Sequence, residues 1–316
     1  MNQIKDNIRS VKAFAPATCA NVAVGFDILG FAFHGIGDHV TLTRREDNQI
    51  KIESIDAKDS LPHDTQKNTA SVVIQKICDE LNIQTGFSIQ IKKGIPLSSG
   101  MGGSAASAVA ALVAFNKFLE TPLSLNQLAE YALFGEEVAS GQKHADNIVP
   151  CLFGGMTLVH SIDPMEVIQL PVPNIYCVLI HPHLFVSTKE ARKILKAELP
   201  LKDYIKQSAN LAGFISSLYQ KDISLLQKTL NDILIEPQRA QFVPGFHQVK
   251  KVAIREGALG VSFSGSGPSI FAFAKNKYQA GVIGNLMQLE LKNHDIESDY
   301  WISRISNQAA EVKEVI

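Results

Sequence analysis

Gly94 to Leu112 reads G-I-P-L-S-S-G-M-G-G-S-A-A-S-A-V-A-A-L, and it changes character halfway. Pro96 to Ser104 is nearly all Gly, Ser and Pro, which punctuate loops. From Ala105 onward the residues are small helix formers and apolar groups, which predicts a helix starting near Gly103 or Ser104. A loop that feeds a helix N-terminus presents unpaired backbone N–H groups and the positive end of the helix dipole, and glycines let a phosphate approach the backbone closely. The stretch therefore reads as an anion site. It is not a Walker A loop, because no G-K-[ST] follows the glycines. The competing reading is a small-residue helix packed on a sheet behind an ordinary loop.

Upstream of this loop, Phe87 to Ile91 alternates apolar and polar residues and predicts a strand, so the loop joins a strand to a helix, the context phosphate binding requires. Val11 to Thr18 predicts a strand ending in a turn at Pro16. Cys19 to Gly30, C-A-N-V-A-V-G-F-D-I-L-G, then sets Asn21 and Asp27 among apolar neighbours. A carboxylate in such company needs a partner, in the protein or in a ligand. His39 to Thr43 and Ile50 to Ile55 alternate as half-buried strands do. Asn68 to Leu81 has helical spacing with Asn68 as its cap, and Ser124 opens a helix to about Ala139 with Gln127 as capping-box partner.

Downstream, Glu136, Glu137, His144, Asp146 and Asn147 crowd against apolar Ile148, Val149, Leu152 and Phe153, a pattern of loops that carry sites. Beyond Met156 the pattern predicts strands at Ile175–Ile180, Leu259–Phe263, Ser269–Phe273 and Tyr300–Ile305. Helices are expected at Thr188–Leu199, Leu201–Tyr219, Ile223–Leu234, Gly245–Glu256 and Tyr278–Leu291. His181 and His183 look like a metal pair, but no third ligand stands at suitable spacing. The order of elements is α+β in both halves rather than the alternation of a doubly wound sheet.

At 316 residues the chain has ample length to bury a core, and 46% hydrophobic with 19% charged residues describes a globular protein. A formal net charge of −1 gives no electrostatic case for nucleic acid or an anionic membrane. Cys19, Cys78, Cys151 and Cys177 are scattered and fit buried thiols in a reducing cytoplasm. Polar residues interrupt any signal-peptide core near the start, and the apolar run Ala105 to Phe115 is too short for a bilayer. A cytoplasmic protein with no membrane or nucleic-acid partner is expected. A homodimer is compatible with this sequence.

Four segments match one pattern: P-A-T-x-A-N-x-x-x-G-F-D at Pro16 to Asp27, P-L-S-S-G-x-G-x-S-A-A-S at Pro96 to Ser107, E-x-x-x-S-G-x-x-H-x-D-N at Glu136 to Asn147, and S-G-S-G-P-S-I-F-A at Ser264 to Ala272. Together they resemble the GHMP small-molecule kinases and, within them, the homoserine kinases. The order and spacing of the segments extend from Val11 to about Ala274. S-T-K-E-A-R at Ser187 to Arg192 and E-P-Q-R at Glu236 to Arg239 each add an arginine, as in that subfamily.

The resemblance implies a GHMP-kinase fold of class α+β: a ribosomal-protein-S5-like ATP-binding domain over 1–155, a ferredoxin-like domain over 156–316, and an active site between them. It implies ATP and Mg²⁺ as cofactors and L-homoserine as the acceptor, phosphorylated on its hydroxyl to O-phospho-L-homoserine in threonine biosynthesis. Pro96, Leu97, Ser98, Ser99, Gly100, Met101, Gly102, Gly103, Ser104, Ala105, Ala106 and Ser107 would wrap the ATP phosphates. Ser104 and Glu136 would hold Mg²⁺. Asp27 would take the substrate ammonium, Arg192 and Arg239 its carboxylate, and Asn21, His144 and Asn147 would lie at the hydroxyl end. A zwitterion calls for such a carboxylate and such guanidiniums. Asn21, Glu136, Asn147 and Ser104 form the catalytic set. Asn147 stands where some members of the superfamily carry an aspartate base, so the implied chemistry has no dedicated carboxylate base. Ser264 to Gly267 would wall the site.

One departure matters: the family usually reads G-L-G-S-S, and this chain reads G-M-G-G-S, so Gly103 lacks a hydroxyl while Ser104 remains. Three rival readings stay open. They are another acceptor within the superfamily, a non-catalytic sensor of nucleotide and metabolite, and a dinucleotide-dependent oxidoreductase. The last lacks G-x-G-x-x-G.

Overall fold

The computed structural model describes residues 3–58, 61–305 and 307–316. β1 (Ser10–Ala20) and β2 (Leu29–Arg45) form a long antiparallel ribbon from Ser10↔Thr43 to Ala20↔Gly30, with a register shift between Pro16 and Ala17. β2 exceeds the five residues predicted from its alternation because its first part is buried on both faces and so carries no period. That first part pairs with β5 (Met156–Ile162), and the remainder pairs with β4 (Gly86–Lys92). β3 (Ile50–Asp56) runs parallel to β4, and α1 (Thr69–Leu81) makes the crossover that parallel neighbours require. β6 (Met165–Leu170) adds to β5, and β11 (Glu311–Val315) covers the outer edge of β1, completing a seven-stranded sheet.

Asn68 caps α1 by accepting the Ala70 N–H, and Ser124 and Gln127 form the expected capping box on α3 (Leu125–Ser140). α2 (Gly103–Phe118) is buried on nearly every side, lying between β1, β2, α1 and α3. Its alanines allow that close approach, and Phe115 and Phe118 meet Phe87 of β4 edge-on. A short α4 (Ile148–Phe153) follows.

The second half contains β7 (Tyr176–Pro182), α5 (Thr188–Lys193), α6 (Leu201–Gln220), α7 (Ile223–Thr229), α8 (Glu236–Arg239), α9 (Phe246–Arg255), β8 (Gly260–Phe263), β9 (Ile270–Ala274), α10 (Lys277–Lys292) and β10 (Ser298–Arg304). The sheet order β10-β7-β9-β8, antiparallel throughout, is that of a ferredoxin-like unit with α9 and α10 as its crossovers. Alternation gives this sheet two apolar faces. Val178, Ile180, Ala272 and Ala274 pack with Met287 and Leu291 of α10, whereas Cys177, Leu179, Phe271 and Phe273 join the core of the first half. There Phe31 of β2 lies 5.5 Å from Phe273 and 6.2 Å from Phe271.

Two helices are shorter than predicted. α5 stops at Lys193, short of the expected Leu199. α7 stops at Thr229 because the buried Asp232 carboxylate gathers the N–H groups of Leu234, Ile235 and Glu236, turning the chain into α8. Sheet pairing crosses the expected division at 155/156: β5, β6 and β11 all belong to the first sheet. Among the described residues, no helix is long and apolar enough to cross a membrane.

Phe31→Ala removes the ring that joins the two sheets. It is expected to cost about 3–5 kcal/mol, read as a lower urea midpoint. Far-UV circular dichroism and the fluorescence of Trp301, the sole tryptophan, on β10, should shift together. A Trp301 transition left in place would mean that the second sheet folds on its own.

Candidate active site

The loop of 94–107 is fixed from beneath by one buried carboxylate. Asp38, on β2 and 0% exposed, accepts the N–H groups of Gly94 at 3.1 Å and Ile95 at 3.2 Å through Oδ1. Its Oδ2 accepts the Ser107 hydroxyl at 2.8 Å and the Lys93 ammonium. Lys93 also donates to Gly103 O at 2.8 Å and to Ser107 Oγ at 3.0 Å. Both ends of the loop and the first turn of α2 are thereby held to the sheet. Nothing in the spacing of Asp38 and Lys93 pointed to this pairing, since Asp38 lies in β2 and Lys93 just past the end of β4.

Two glycines are required by that geometry. Gly100, with φ of +75°, runs so close to a second Gly/Ser turn that a Cβ would stand 2.5 Å from Ser264 O and 2.6 Å from Gly267 O. Gly102, with φ of +71°, would set a Cβ 2.1 Å from the Thr18 hydroxyl. At Gly103, by contrast, a Cβ would meet nothing nearer than 3.4 Å, so the backbone admits the serine common in the family. Ser264 ties the turns together by donating to Gly100 O at 2.8 Å, and Ser269 N donates to Ser99 O at 3.1 Å.

A cavity of about 340 Å³ opens where these turns meet. Pro96, Leu97, Ser98, Ser99, Gly100, Gly102, Gly103, Ser104, Ala105 and Ser107 line it. Met101 and Ala106 do not: both are fully buried in the core, and the Ala106 N–H is already donated to Gly102 O. Ser107 lines the cavity, but its hydroxyl is turned to Asp38. The buried Ser99 Oγ has no protein partner, which suits a hydroxyl facing a ligand.

Asn21, Asp27, Glu136, His144, Asn147, Arg192 and Arg239 line the same cavity, and of the expected wall at Ser264 to Gly267 only Gly265 and Ser266 reach it. Asn21, at φ of +69°, donates to Gly265 O at 2.9 Å and accepts the Asp27 N–H at 3.0 Å, so it shapes the turn that presents Asp27. Asn147 accepts the Thr18 hydroxyl at 2.7 Å through its amide oxygen, leaving the amide nitrogen as its remaining polar atom. Glu136 reaches His144 Nδ1 only at 3.9 Å, beyond hydrogen-bond range. Arg239 is 3% exposed and donates to Ala191 O at 3.3 Å and Gly265 O at 2.9 Å. Burial, with Arg192 close by, lowers its pKa to about 10, so it stays charged at neutral pH.

Two features escaped the sequence reading. The Phe26 ring lies between two guanidiniums, 5.1 Å from Arg192 and 5.2 Å from Arg239. Leu61, Pro62, Lys67, Asn68, Thr69 and Ile91 extend the cavity beyond the loop. Asp146 also lines it, 4% exposed, and burial together with the charge of Asp27 pushes its carboxyl up to about 7. His181 and His183 stand apart from the cavity. His181 contacts Ser269 and His183 pairs with Asp299, and among the described residues no group of three or more His, Cys, Asp or Glu is arranged for a metal.

The chain belongs to the GHMP kinases, a class of small-molecule kinases that use ATP. The model described as GHMP kinases N terminal domain matches residues 68–155, and that described as GHMP kinases C terminal matches 214–289. The homoserine kinase of Chlorobium phaeobacteroides (strain BS1) is 41% identical over 96% of this chain and 100% of its own length. That of Xanthomonas campestris pv. campestris (strain B100) is 39% identical over 98% of this chain and 99% of its own. The crystal structure of homoserine kinase from Cytophaga hutchinsonii ATCC 33406 superposes with a TM-score of 0.94 at 43% identity, covering 98% of this chain and 99% of that one.

Lys93→Met strands the Asp38 carboxylate in the core and is expected to cost about 3–5 kcal/mol in urea denaturation, with Lys93→Met/Asp38→Asn recovering part of the loss. An unchanged midpoint in the single variant would contradict the clamp. Asp146 titrates lower in the unfolded chain than in the fold, so the fold holds the extra proton and wild-type stability falls as pH rises from about 4 to about 7. The stability of Asp146→Asn relative to wild type should therefore grow across that window and level off above it. A difference that does not vary with pH would contradict the raised pKa.

Proposed function

We propose that the chain transfers the γ-phosphoryl group of ATP to the hydroxyl of L-homoserine, giving O-phospho-L-homoserine on the route to threonine. One observation carries the reading: a Gly/Ser loop at a helix N-terminus shares its cavity with a carboxylate, Asp27, facing two guanidiniums, Arg192 and Arg239. The first element suits a triphosphate and the second an α-amino acid. Relatives named homoserine kinase, matched over nearly the whole chain, favour homoserine among amino-acid acceptors.

In this reading the backbone N–H groups of 97–105 cradle the phosphates, held in place by the Asp38–Lys93 clamp. Leu61, Pro62 and Ile91 offer apolar surface for the adenine, with Asn68 as a polar neighbour. Ser104 and Glu136 are the Mg²⁺ ligands. A hydroxyl and a carboxylate are hard oxygen donors, and Glu136 has no close hydrogen-bond partner to give up. When bound, Mg²⁺ neutralises phosphate charge as the phosphoryl group leaves. Arg239, rigid and buried, fixes the substrate carboxylate. Asp27 takes the ammonium, which sets the distance of the hydroxyl from the loop. Asn147 and the second amide hydrogen of Asn21 orient that hydroxyl, with His144 beside them. A loose phosphoryl-transfer transition state needs mainly such positioning, and the phosphate itself takes the proton. Four free cysteines, all buried, fit a cytoplasmic setting.

The test is ADP release with MgATP against homoserine, threonine, serine, mevalonate and galactose. Homoserine-dependent turnover is expected, with Arg239→Ala raising KM for homoserine roughly 10–100-fold through one lost charge-assisted contact while kcat changes less. Turnover confined to mevalonate or galactose would retire the amino-acid reading. Asp146→Asn should keep most of its kcat. Loss of turnover with both ligands still bound would make Asp146 the base.

A further inference from the structure

Asp27 and Arg192, assigned to opposite charges of the substrate, are bound to each other. Arg192 Nη1 donates to Asp27 Oδ2 at 2.9 Å and Nη2 to Oδ1 at 2.5 Å, a parallel fork of two charge-assisted hydrogen bonds. Each residue thus already holds the kind of charge that an amino acid would bring to it. Arg239 differs, because both of its contacts go to backbone carbonyls in the buried wall. The Asp27 and Arg192 side chains are 31% and 27% exposed, so the pair stands at the cavity rather than in the core. Both guanidiniums lie against Phe26, so Arg192 can release Asp27 while its planar face keeps that support. The buried Nε of Arg192 has no partner in the paired arrangement, which leaves a donor for an incoming carboxylate.

We propose that the Asp27–Arg192 ion pair is an internal stand-in for a zwitterion, and that a substrate must carry both charges to displace it. The proposal rests on the amino-acid reading above and adds a source of selectivity to it. A ligand with ammonium and carboxylate exchanges one ion pair for two. A ligand with the carboxylate alone that takes Arg192 breaks the pair and leaves Asp27 without its hydrogen-bonded partner, beside the buried Asp146. Stranding a partly buried charge costs more than forgoing a contact. Hydroxy acids and amino alcohols are therefore rejected by the pair itself.

The experiment is isothermal titration calorimetry of 4-hydroxybutyrate, which has the carboxylate and no ammonium, with Mg²⁺ and a non-hydrolysable ATP analogue present. The proteins are wild type, Asp27→Asn, Arg192→Gln and the double variant. Asparagine suits position 27 because it tolerates the positive φ of 63° there. Asp27→Asn should bind 4-hydroxybutyrate about tenfold more tightly than wild type, ~1.4 kcal/mol. That gain should vanish in the Arg192→Gln background. No gain overturns the proposal. A gain that persists without Arg192 also overturns it, because simple repulsion by Asp27 would then suffice. The mirror experiment, 3-aminopropan-1-ol with Arg192→Gln, should show a gain that depends on Asp27 and gives a second route if Asp27→Asn folds poorly. L-Homoserine titrated into wild type separates the levels. Homoserine binding with a negative analogue result removes only the stand-in, and absence of homoserine binding removes the amino-acid reading with it.

Discussion

The architecture of the cavity depends on a carboxylate with no water around it. Asp38 sits at full burial between β2 and the loop, and an ionised group there is tolerable only if every lone pair is used. Two backbone N–H groups, a hydroxyl and an ammonium supply the partners, and all come from the segment that makes the Gly/Ser loop. The cost of leaving Asp38 unsatisfied therefore acts as a force that holds this loop in one shape. Fixed in that shape, the loop can approach the Ser264–Ser269 turn closely enough that Gly100 has no room for a side chain.

Much of the fold was legible because its local signals agreed with its packing. The Asn68 and Ser124 caps, the alternation of β4, the apolar run of β7 and the small-residue run of α2 were all visible, and all reappear. What the sequence hid was governed by distant partners. β6 and β11 carry weak alternation and exist because β5 and β1 offer unpaired edges. α7 ends where Asp232 captures backbone N–H groups, a competition that helical period does not register.

The cavity divides in the same way. Most of the motif residues line one cavity, each in a segment whose order and spacing carried the resemblance. Met101 and Ala106 fall out of the lining because a helix start turns successive residues in different directions, and these two turn into the core. Phe26 was missed for a different reason. An aromatic ring beside apolar residues looks like ordinary core until the guanidiniums of Arg192 and Arg239 are placed against it.

The pairing of β1 with β11 bears on how the protein is made. Val11 lies opposite Val315, so every residue between them has to be made before the outer edge of β1 is covered. Until then a nascent chain that has already formed the β1–β2 ribbon presents an open strand edge, the kind of surface on which neighbouring polypeptides pair. Contacts of such long range also slow folding, since a large loop closes before they contribute. Gly265 and Ser266 of the cavity wall likewise follow the rest of its lining in the chain, so the cavity is complete only once that turn has been made.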